Sequence, residues 1–412
     1  MKLSRRQLLK VAVAAPLVVP AAALGKNGKT APSERLVMGT IGTGGRGTGV
    51  MNGFIGFNEV RMVAVCDPVK EHREQAKQQV DSRYKNTDCR VYTDFRELLQ
   101  QGDIDAVLIG TPDHWHSAIT VAACKAGKDV FCEKPESLTV REGRRMADAI
   151  KKHGIVFSGG SQRVIDDYGD LPRLLWGGAI GEVKEVFVGC GGPSGDCHLP
   201  AEPEPEGLDW NLWLGPAPWR PFHSDLIRGR FRYYRDYSGG GMTDWGAHRF
   251  GAALFATQKL YAGPVEIAPG DPRDTKRRIV YTFADGMKMY HSPVADNVYE
   301  GTEGSLQVGR NQVVIGKHRK PTLRIEIPDY RWFNPWENKG ILGDFVYCVQ
   351  TRQQPFRNIE AAHRALTICH LGNLVYWLGR PLRWDPEKEE ILGDPEAARW
   401  LDRPKRAPWS DV

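Results

Sequence analysis

An apolar run ending at Ile41 is followed at once by Gly42-Thr43-Gly44-Gly45-Arg46-Gly47. Glycines spaced G-x-G-x-x-G call for a turn so tight that side chains would obstruct it, and a strand leading in makes a helix the natural way out. Twenty positions beyond Gly47, a second apolar run, Val60–Cys66, closes on Asp67. These features specify a strand–turn–helix–strand unit whose backbone N–H groups meet at a helix N-terminus, an arrangement suited to a pyrophosphate. Gly42, Gly44, Gly45, Arg46 and Gly47 are the candidate residues for that contact. Asp67 is placed to accept the hydroxyls of an adenosine ribose, and its charge opposes a 2′-phosphate, so NAD is expected before NADP. The plain alternative is an ordinary turn followed by a surface aspartate.

Apolar runs and amphipathic stretches keep alternating downstream. Strands are expected at Cys89–Tyr92, Ala106–Gly110 and Val130–Cys132, and helices over Val69–Val80, Ser117–Lys125 and Val140–His153. Such alternation packs as a parallel sheet with right-handed crossovers. Residues 34–158 therefore read as an α/β Rossmann domain, a doubly wound parallel sheet, whose ligands lie at the carboxyl edge of the strands. Two of those edges carry chemistry: Thr111-Pro112-Asp113-His114-Trp115-His116 and Glu133-Lys134-Pro135. Thr111, Pro112, His116, Glu133 and Lys134 are the candidates there for cofactor contact, although a lysine in this place also fits a solvated loop.

Past Ser158 the rhythm changes. Glu182–Cys190, Lys276–Ala284, Met287–His291, Ser305–Val308, Gln312–Ile315 and Leu323–Ile327 read as strands, and Asp285-Gly286 as a hairpin turn. Helices are expected near Asp344–Thr351 and Glu360–Trp377. Residues 159–412 should thus form an α+β domain around a large, mainly antiparallel open sheet with one face available for substrate.

The first 33 residues read as a leader and linker. Ser4-Arg5-Arg6-Gln7-Leu8-Leu9-Lys10 precedes an apolar stretch, Val11–Leu24, that is short for a bilayer span, holds two prolines and includes Ala21-Ala22-Ala23. Paired arginines in this setting address folded proteins for export; an ordinary secretory leader is the alternative. The expected location is periplasmic or otherwise extracytoplasmic, reached through the twin-arginine translocation machinery, with no stable membrane anchor after cleavage. Lys2, Arg5, Arg6 and Lys10 carry four of the six net positive charges, which leaves the mature chain at +2. With no Lys/Arg run, nucleic acid and anionic membrane are not expected partners. Most of the eight cysteines fall in apolar patterns and read as buried thiols, while Cys190 and Cys197 are candidates to pair. Asp196, Cys197, His198 and His223 match no common ligand spacing, so no metal is expected.

The densest constellation is Gly239-Gly240-Gly241-Met242-Thr243-Asp244-Trp245-Gly246-Ala247-His248. It reads as a flexible glycine run opening an apolar helix, with Thr243 as N-cap and Asp244 and His248 on one face at i,i+4. On the bland reading, Asp244 complements the helix dipole and His248 is a satisfied core residue. Trp210, Trp213, Trp219 and Tyr233 are candidate platforms for apolar sugar faces, as well as ordinary core or interface aromatics.

In this order, the glycine loop, Thr111-Pro112, Glu133-Lys134-Pro135 and the Asp244/His248 helix resemble the glucose–fructose oxidoreductase/inositol dehydrogenase/MocA family, and the likeness covers nearly the whole mature chain. Trp210-Asn211-Leu212-Trp213-Leu214-Gly215-Pro216 and Arg406-Ala407-Pro408-Trp409 resemble its exported bacterial branches. The resemblance implies that Lys134, Asp244 and His248 work at a nicotinamide, and that Gln162 and Arg163 lie near the substrate. It also implies a homo-oligomer associated through the open sheet. One departure is Gly251, which stands where many members carry an aspartate.

The implied reaction is hydride transfer at a CH–OH group of a sugar or polyol. His248 would serve as general acid/base, Lys134 would polarise the reacting oxygen, and Asp244 would orient the pair. A nicotinamide carried out on an exported protein has to be regenerated in place, so a redox-neutral cycle is expected: either transfer between two sugars, or oxidation, elimination, hydration and reduction that together hydrolyse a glycoside. Gly44-Gly45-Arg46-Gly47 resembles the family's glycosidase branches, whereas Glu133-Lys134-Pro135 resembles its ordinary oxidoreductases. A non-catalytic sugar-binding protein on the same fold is a third reading.

Overall fold

The computed structural model describes Ala31 and residues 34–161, 171–309, 312–315 and 340–409. The leader, Gln162, Arg163 and the strand expected at Leu323–Ile327 lie outside the described residues. Within 34–161 six strands alternate with helices: β1 (Leu36–Ile41), β2 (Val60–Cys66), β3 (Arg90–Tyr92), β4 (Ala106–Ile109), β5 (Asp129–Cys132) and β6 (Phe157–Gly159). They form one sheet in the order β3-β2-β1-β4-β5-β6, and every neighbouring pair is parallel. All residues of β4 and β5 are buried, as expected for strands covered by helices on both faces. The order reverses between β1 and β4, which opens a crevice at their carboxyl ends.

Local signals explain the helix that follows β5. Thr139 caps Val140–His153 by accepting the Glu142 N–H, Gly154 closes it in the left-handed conformation, and Lys151, Lys152 and His153 fill its last turn. A shorter helix, Phe95–Leu99, was not foreseen; Asp94 caps it by accepting the Arg96 N–H.

The second sheet has nine strands. Chain order gives β7 (Val183–Gly189), β8 (Glu266–Pro269), β9 (Ile279–Thr282), β10 (Lys288–Ser292), β11 (Val298–Gly301), β12 (Ser305–Gly309), β13 (Gln312–Ile315), β14 (Leu382–Asp385) and β15 (Glu390–Ile391). They lie in the order β13-β12-β11-β7-β10-β9-β8-β14-β15, with β7 and β10 parallel and the other pairs antiparallel. One apolar core joins Val186, Tyr281 and Met289 of this sheet to Phe250 of the helix Gly246–Ala256 and to Leu371 of the helix Ile359–Leu378.

Ion pairs tie the two sheets together. Arg144 reaches Glu360 at 2.5 Å and Glu389 at 2.7 Å, Arg352 reaches Asp129 at 2.5 Å, and Arg403 reaches Glu142 at 3.0 Å. The tail then folds back, so that Trp409 packs edge-on against Trp115 with ring centroids 4.8 Å apart. All eight cysteines are free, Cys190 and Cys197 included. Among the described residues no helix is long and apolar enough to cross a membrane.

Candidate active site

The glycine loop is built by contact as much as by conformation. Gly42 has φ +86°, and a Cβ there would sit 2.5 Å from the Thr111 nitrogen. A Cβ on Gly47 would lie 1.9 Å from the Gly42 carbonyl oxygen, and one on Gly110 would lie 2.6 Å from the Gly47 Cα. The turn after β1 is therefore seated directly on the end of β4. Gly44 and Gly45 face open space instead. Gly44 starts the helix Gly45–Phe54 with no side chain capping it, which leaves first-turn N–H groups for a ligand. A cavity of about 550 Å³ lies against this loop, lined among others by Gly44, Arg46, Asp67, Thr111, Pro112 and Arg232. The residues present fit the pyrophosphate of a dinucleotide.

Asp67 is on the cavity wall but already engaged. Its Oδ2 accepts the Thr43 N–H at 2.7 Å and its Oδ1 accepts the Val69 N–H at 2.9 Å, with His72 Nδ1 3.5 Å away. Each oxygen thus takes one backbone N–H and keeps capacity to accept a further hydrogen bond. Glu133 is buried and accepts from Arg46 at 2.8 Å, bracing the glycine loop. His116 lies off the cavity wall: its ring sits between the Pro135 carbonyl at 2.7 Å and the Thr111 carbonyl at 2.8 Å. The ring thus sits between the two strand ends that border the cleft.

Lys134, just past β5, reaches across to the second domain. Its Nζ donates to Asp244 Oδ1 at 2.5 Å and to the Asp244 carbonyl at 3.1 Å. Both side chains are largely buried, so this pair feels less solvent screening than a surface one. Arg232 approaches the same Oδ1 at 3.3 Å through Nε. Because Arg232 also lines the cavity, the Lys134–Asp244 pair adjoins the cleft through it, although neither Lys134, Asp244 nor His248 is part of the cavity wall.

The helix read over Thr243–His248 is broken in two, Gly241–Asp244 and Gly246–Ala256, on either side of Trp245. Asp244 closes the first piece and His248 lies in the second, so they do not share one continuous helix face. Thr243 is not the N-cap; Gly240 is, and the Thr243 hydroxyl donates back to its carbonyl at 3.2 Å. Nor is the glycine run loose. A Cβ on Gly240 would meet the Ser194 nitrogen at 2.5 Å, and one on Gly241 the Gly191 Cα at 2.6 Å. His248 is buried, with Nδ1 2.8 Å from the Ser161 hydroxyl, which also donates to the Ala247 carbonyl at 3.4 Å. The Ser161 hydroxyl thus fixes the orientation of the His248 ring through Nδ1.

The aromatic assignments divide. Trp210 and Trp213 stack on each other at 4.8 Å inside a buried cluster, so Trp210 has no face left for a sugar. Trp213 still contributes to the cavity wall, while Tyr233 and Trp219 are exposed, at 67% and 65%. Asp196, Cys197 and His223 face Arg235, Arg220 and Glu202 respectively.

Sequence reasoning missed Arg232, Ser161 and the role of Asp113. Asp113 opens the helix Asp113–Lys125, is buried, and leaves Oδ2 without a partner. Burial pushes its carboxyl up to about 7, against the pull of the Arg232 guanidinium and with Asp244 adding to the rise.

The chain spans about a third of the length of the curated relatives it matches. A glycosyl hydrolase family 109 protein of Solibacter usitatus is 33% identical over 34% of this chain and 35% of its own. The myo-inositol 2-dehydrogenase of Thermotoga maritima is 29% identical over 35% of this chain and 42% of its own. In fold, the aldose-aldose oxidoreductase of Caulobacter crescentus superposes with a TM-score of 0.59 at 20% identity, over 85% of this chain and 99% of the other. The family model described as oxidoreductase family, NAD-binding Rossmann fold matches residues 36–161, where the glycine loop and β1–β6 stand. The companion model, oxidoreductase family, C-terminal alpha/beta domain, matches residues 192–411, which contain Asp244 and His248. With both halves accounted for, the chain belongs to the Gfo/Idh/MocA oxidoreductase family and carries its NAD(P)-binding Rossmann domain.

Proposed function

We propose that this protein oxidises and reduces a CH–OH group of a sugar or polyol with a tightly held NAD(P) that is recycled in place. The observation that carries the reading is Lys134 fixed 2.5 Å from Asp244 beside a dinucleotide cleft, with His248 held by Ser161 in the adjoining helix. The nicotinamide, when bound, takes up or returns the hydride. His248 Nε2 takes the proton of the reacting hydroxyl as the carbon–oxygen bond gains its double-bond character, and gives it back in the reverse direction. Lys134 polarises that oxygen and stabilises the negative charge on it. Asp244 and Arg232 hold the ammonium in place. Positioned proton transfer of this kind is worth about 10²–10⁴-fold in rate.

Export supports retention of the cofactor. The paired arginines at Arg5-Arg6 and the apolar stretch behind them suit a chain that leaves the cytoplasm folded. We further propose a homo-oligomer, on the strength of the family resemblance and the open nine-stranded sheet. A second reading, hydrolysis of a glycoside with NAD(P) as a catalytic rather than consumed group, is favoured by the family 109 relative and by the Gly44-Gly45-Arg46-Gly47 loop.

The test is to purify the protein from the cells that export it, denature it, and assay the supernatant for nicotinamide nucleotide. Near-stoichiometric nucleotide is expected, and empty protein that cannot be reloaded defeats the proposal. Incubation with sugar pairs and with aryl glycosides then separates the two reactions.

A further inference from the structure

Lys134 and His248 come from different domains, and a single reacting oxygen needs them at a fixed separation. One buried residue touches the supports of both: Arg357, just ahead of the helix Ile359–Leu378. Its Nε lies 3.5 Å from Oε1 of Glu136, which stands two residues past Lys134. Its Nη2 donates to the carbonyl of Ala247, the residue before His248, at 3.3 Å, and its Nη1 donates to the Ala361 carbonyl at 3.4 Å. Its own carbonyl accepts the Gly159 N–H at 2.8 Å, at the end of β6. Arg357 therefore joins the turn that carries Lys134, the last strand of the first sheet and the peptide that leads into His248.

The junction is closely built. A Cβ on Gly159 would lie 2.1 Å from Glu136 Oε1 and 3.0 Å from Arg357 Cγ, so the pair packs on bare backbone. Two residues on, the Ser161 hydroxyl meets both the Ala247 carbonyl and His248 Nδ1, which gives that carbonyl a second donor besides Arg357. The Glu136 and Arg357 side chains are each 1% exposed. Among the described residues neither Glu136 oxygen accepts a hydrogen bond, and Arg357 Nε donates none. Buried ions so sparsely hydrogen-bonded add little to stability, and apolar side chains of similar volume in their place often leave a fold as stable or more so. What such a pair supplies here is a fixed relation between the parts it joins. That matters for rate, because a reacting group displaced by about 1 Å can lose about 10²-fold.

We infer that Glu136 and Arg357 are positioning residues whose buried pair sets the separation of Lys134 and His248 across the two domains. The inference rests on the proposal that Lys134 and His248 work at the reacting oxygen.

The experiment compares the full chain with Arg357→Lys and with the double variant Glu136→Leu/Arg357→Met. Crystal structures give the distance from Lys134 Nζ to His248 Nε2, urea unfolding gives the stability, and denaturation gives the nucleotide content. Turnover is read with NAD⁺ and the aldose or polyol that the parent oxidises fastest. The double variant should unfold at the same or higher urea concentration and keep its nucleotide. Its Lys134–His248 separation should change by about 1 Å, and kcat should fall by about 10²-fold with KM altered less than about twofold. Arg357→Lys keeps a charge opposite Glu136 but has one ammonium for two carbonyls, so its kcat should fall by only about tenfold. An unchanged separation in the double variant overturns the inference, as does a changed separation with undiminished turnover. So does a pair required for folding, shown by loss of nucleotide and of cooperative unfolding in both variants. A parent that oxidises no aldose or polyol defeats the proposed reaction instead, and the measured separation then decides the positioning alone.

Discussion

Asp113→Asn should make the protein more resistant to unfolding at neutral pH than at acid pH, relative to the parent chain. The parent carboxyl is fully buried beside Arg232, Asp244 and Lys134, and its pKa moves from 3.8 to about 7 on folding. A carboxyl raised in this way binds its proton more tightly in the folded chain. Its stabilising contribution is complete below 3.8 and is lost as pH rises to about 7. At 1.36 kcal/mol per pH unit, the whole span corresponds to about 4 kcal/mol. Asparagine has nothing to ionise and Oδ2 has no partner to lose, so the variant escapes this loss. Urea unfolding of both chains, at matched ionic strength, gives the difference at each pH, and groups common to both cancel. Between about pH 5 and pH 7 the difference should widen in favour of the variant by about 2 kcal/mol, and level off above about pH 8. A difference that stays constant over that interval would show that Asp113 ionises in the folded chain as it does in water, and the electrostatic account of the cluster would fail.

Three further outcomes are expected. His248→Ala should lower turnover by about 10²–10⁴-fold while nucleotide content, measured after denaturation, is nearly unchanged; loss of nucleotide instead would indicate a structural role for His248. Gly47→Ala brings a Cβ to within 1.9 Å of the Gly42 carbonyl, so the loop must leave β4, and equilibrium dialysis should show NAD⁺ binding abolished. Trp409→Ala removes a buried ring packed on Trp115 and Phe95, with an expected cost of about 3–5 kcal/mol in denaturant unfolding; a cost under about 1 kcal/mol would mean the tail is not a structural strap.

Much of the first domain was legible because its signals are local. The spacing of Gly42, Gly44 and Gly47, the apolar runs that became β1, β2, β4 and β5, and Asp67 at the end of β2 all declare themselves within a few residues of one another. The second domain was less legible for a physical reason. β8, β11 and β14 are four-residue strands, and β8 ends on a proline and β11 on a glycine. Too few alternations remain to reveal a buried face, and pairing with long-range neighbours supplies the stability. The candidate site divides in the same way. Lys134 and Asp244 are 110 residues apart and meet only in the fold. A tryptophan reads alike whether it is a sugar platform or core, so the buried stacking of Trp210 on Trp213 was not visible. Three successive glycines suggested freedom, whereas the backbone crowding at Gly240 and Gly241 shows that they are there for lack of room. Asp113 and Arg232 have no motif that announces burial or reach.

Hydride transfer at the Lys134–Asp244–His248 site is tested most directly by loading the purified chain with NAD⁺, adding aldoses and polyols one at a time, and following the near-ultraviolet absorbance of reduced nicotinamide. At least one compound should reduce the bound nucleotide in a single turnover, and His248→Ala should suppress that signal while the nucleotide stays bound. Reduction that proceeds as fast in His248→Ala, or loaded protein that no sugar or polyol reduces, contradicts it.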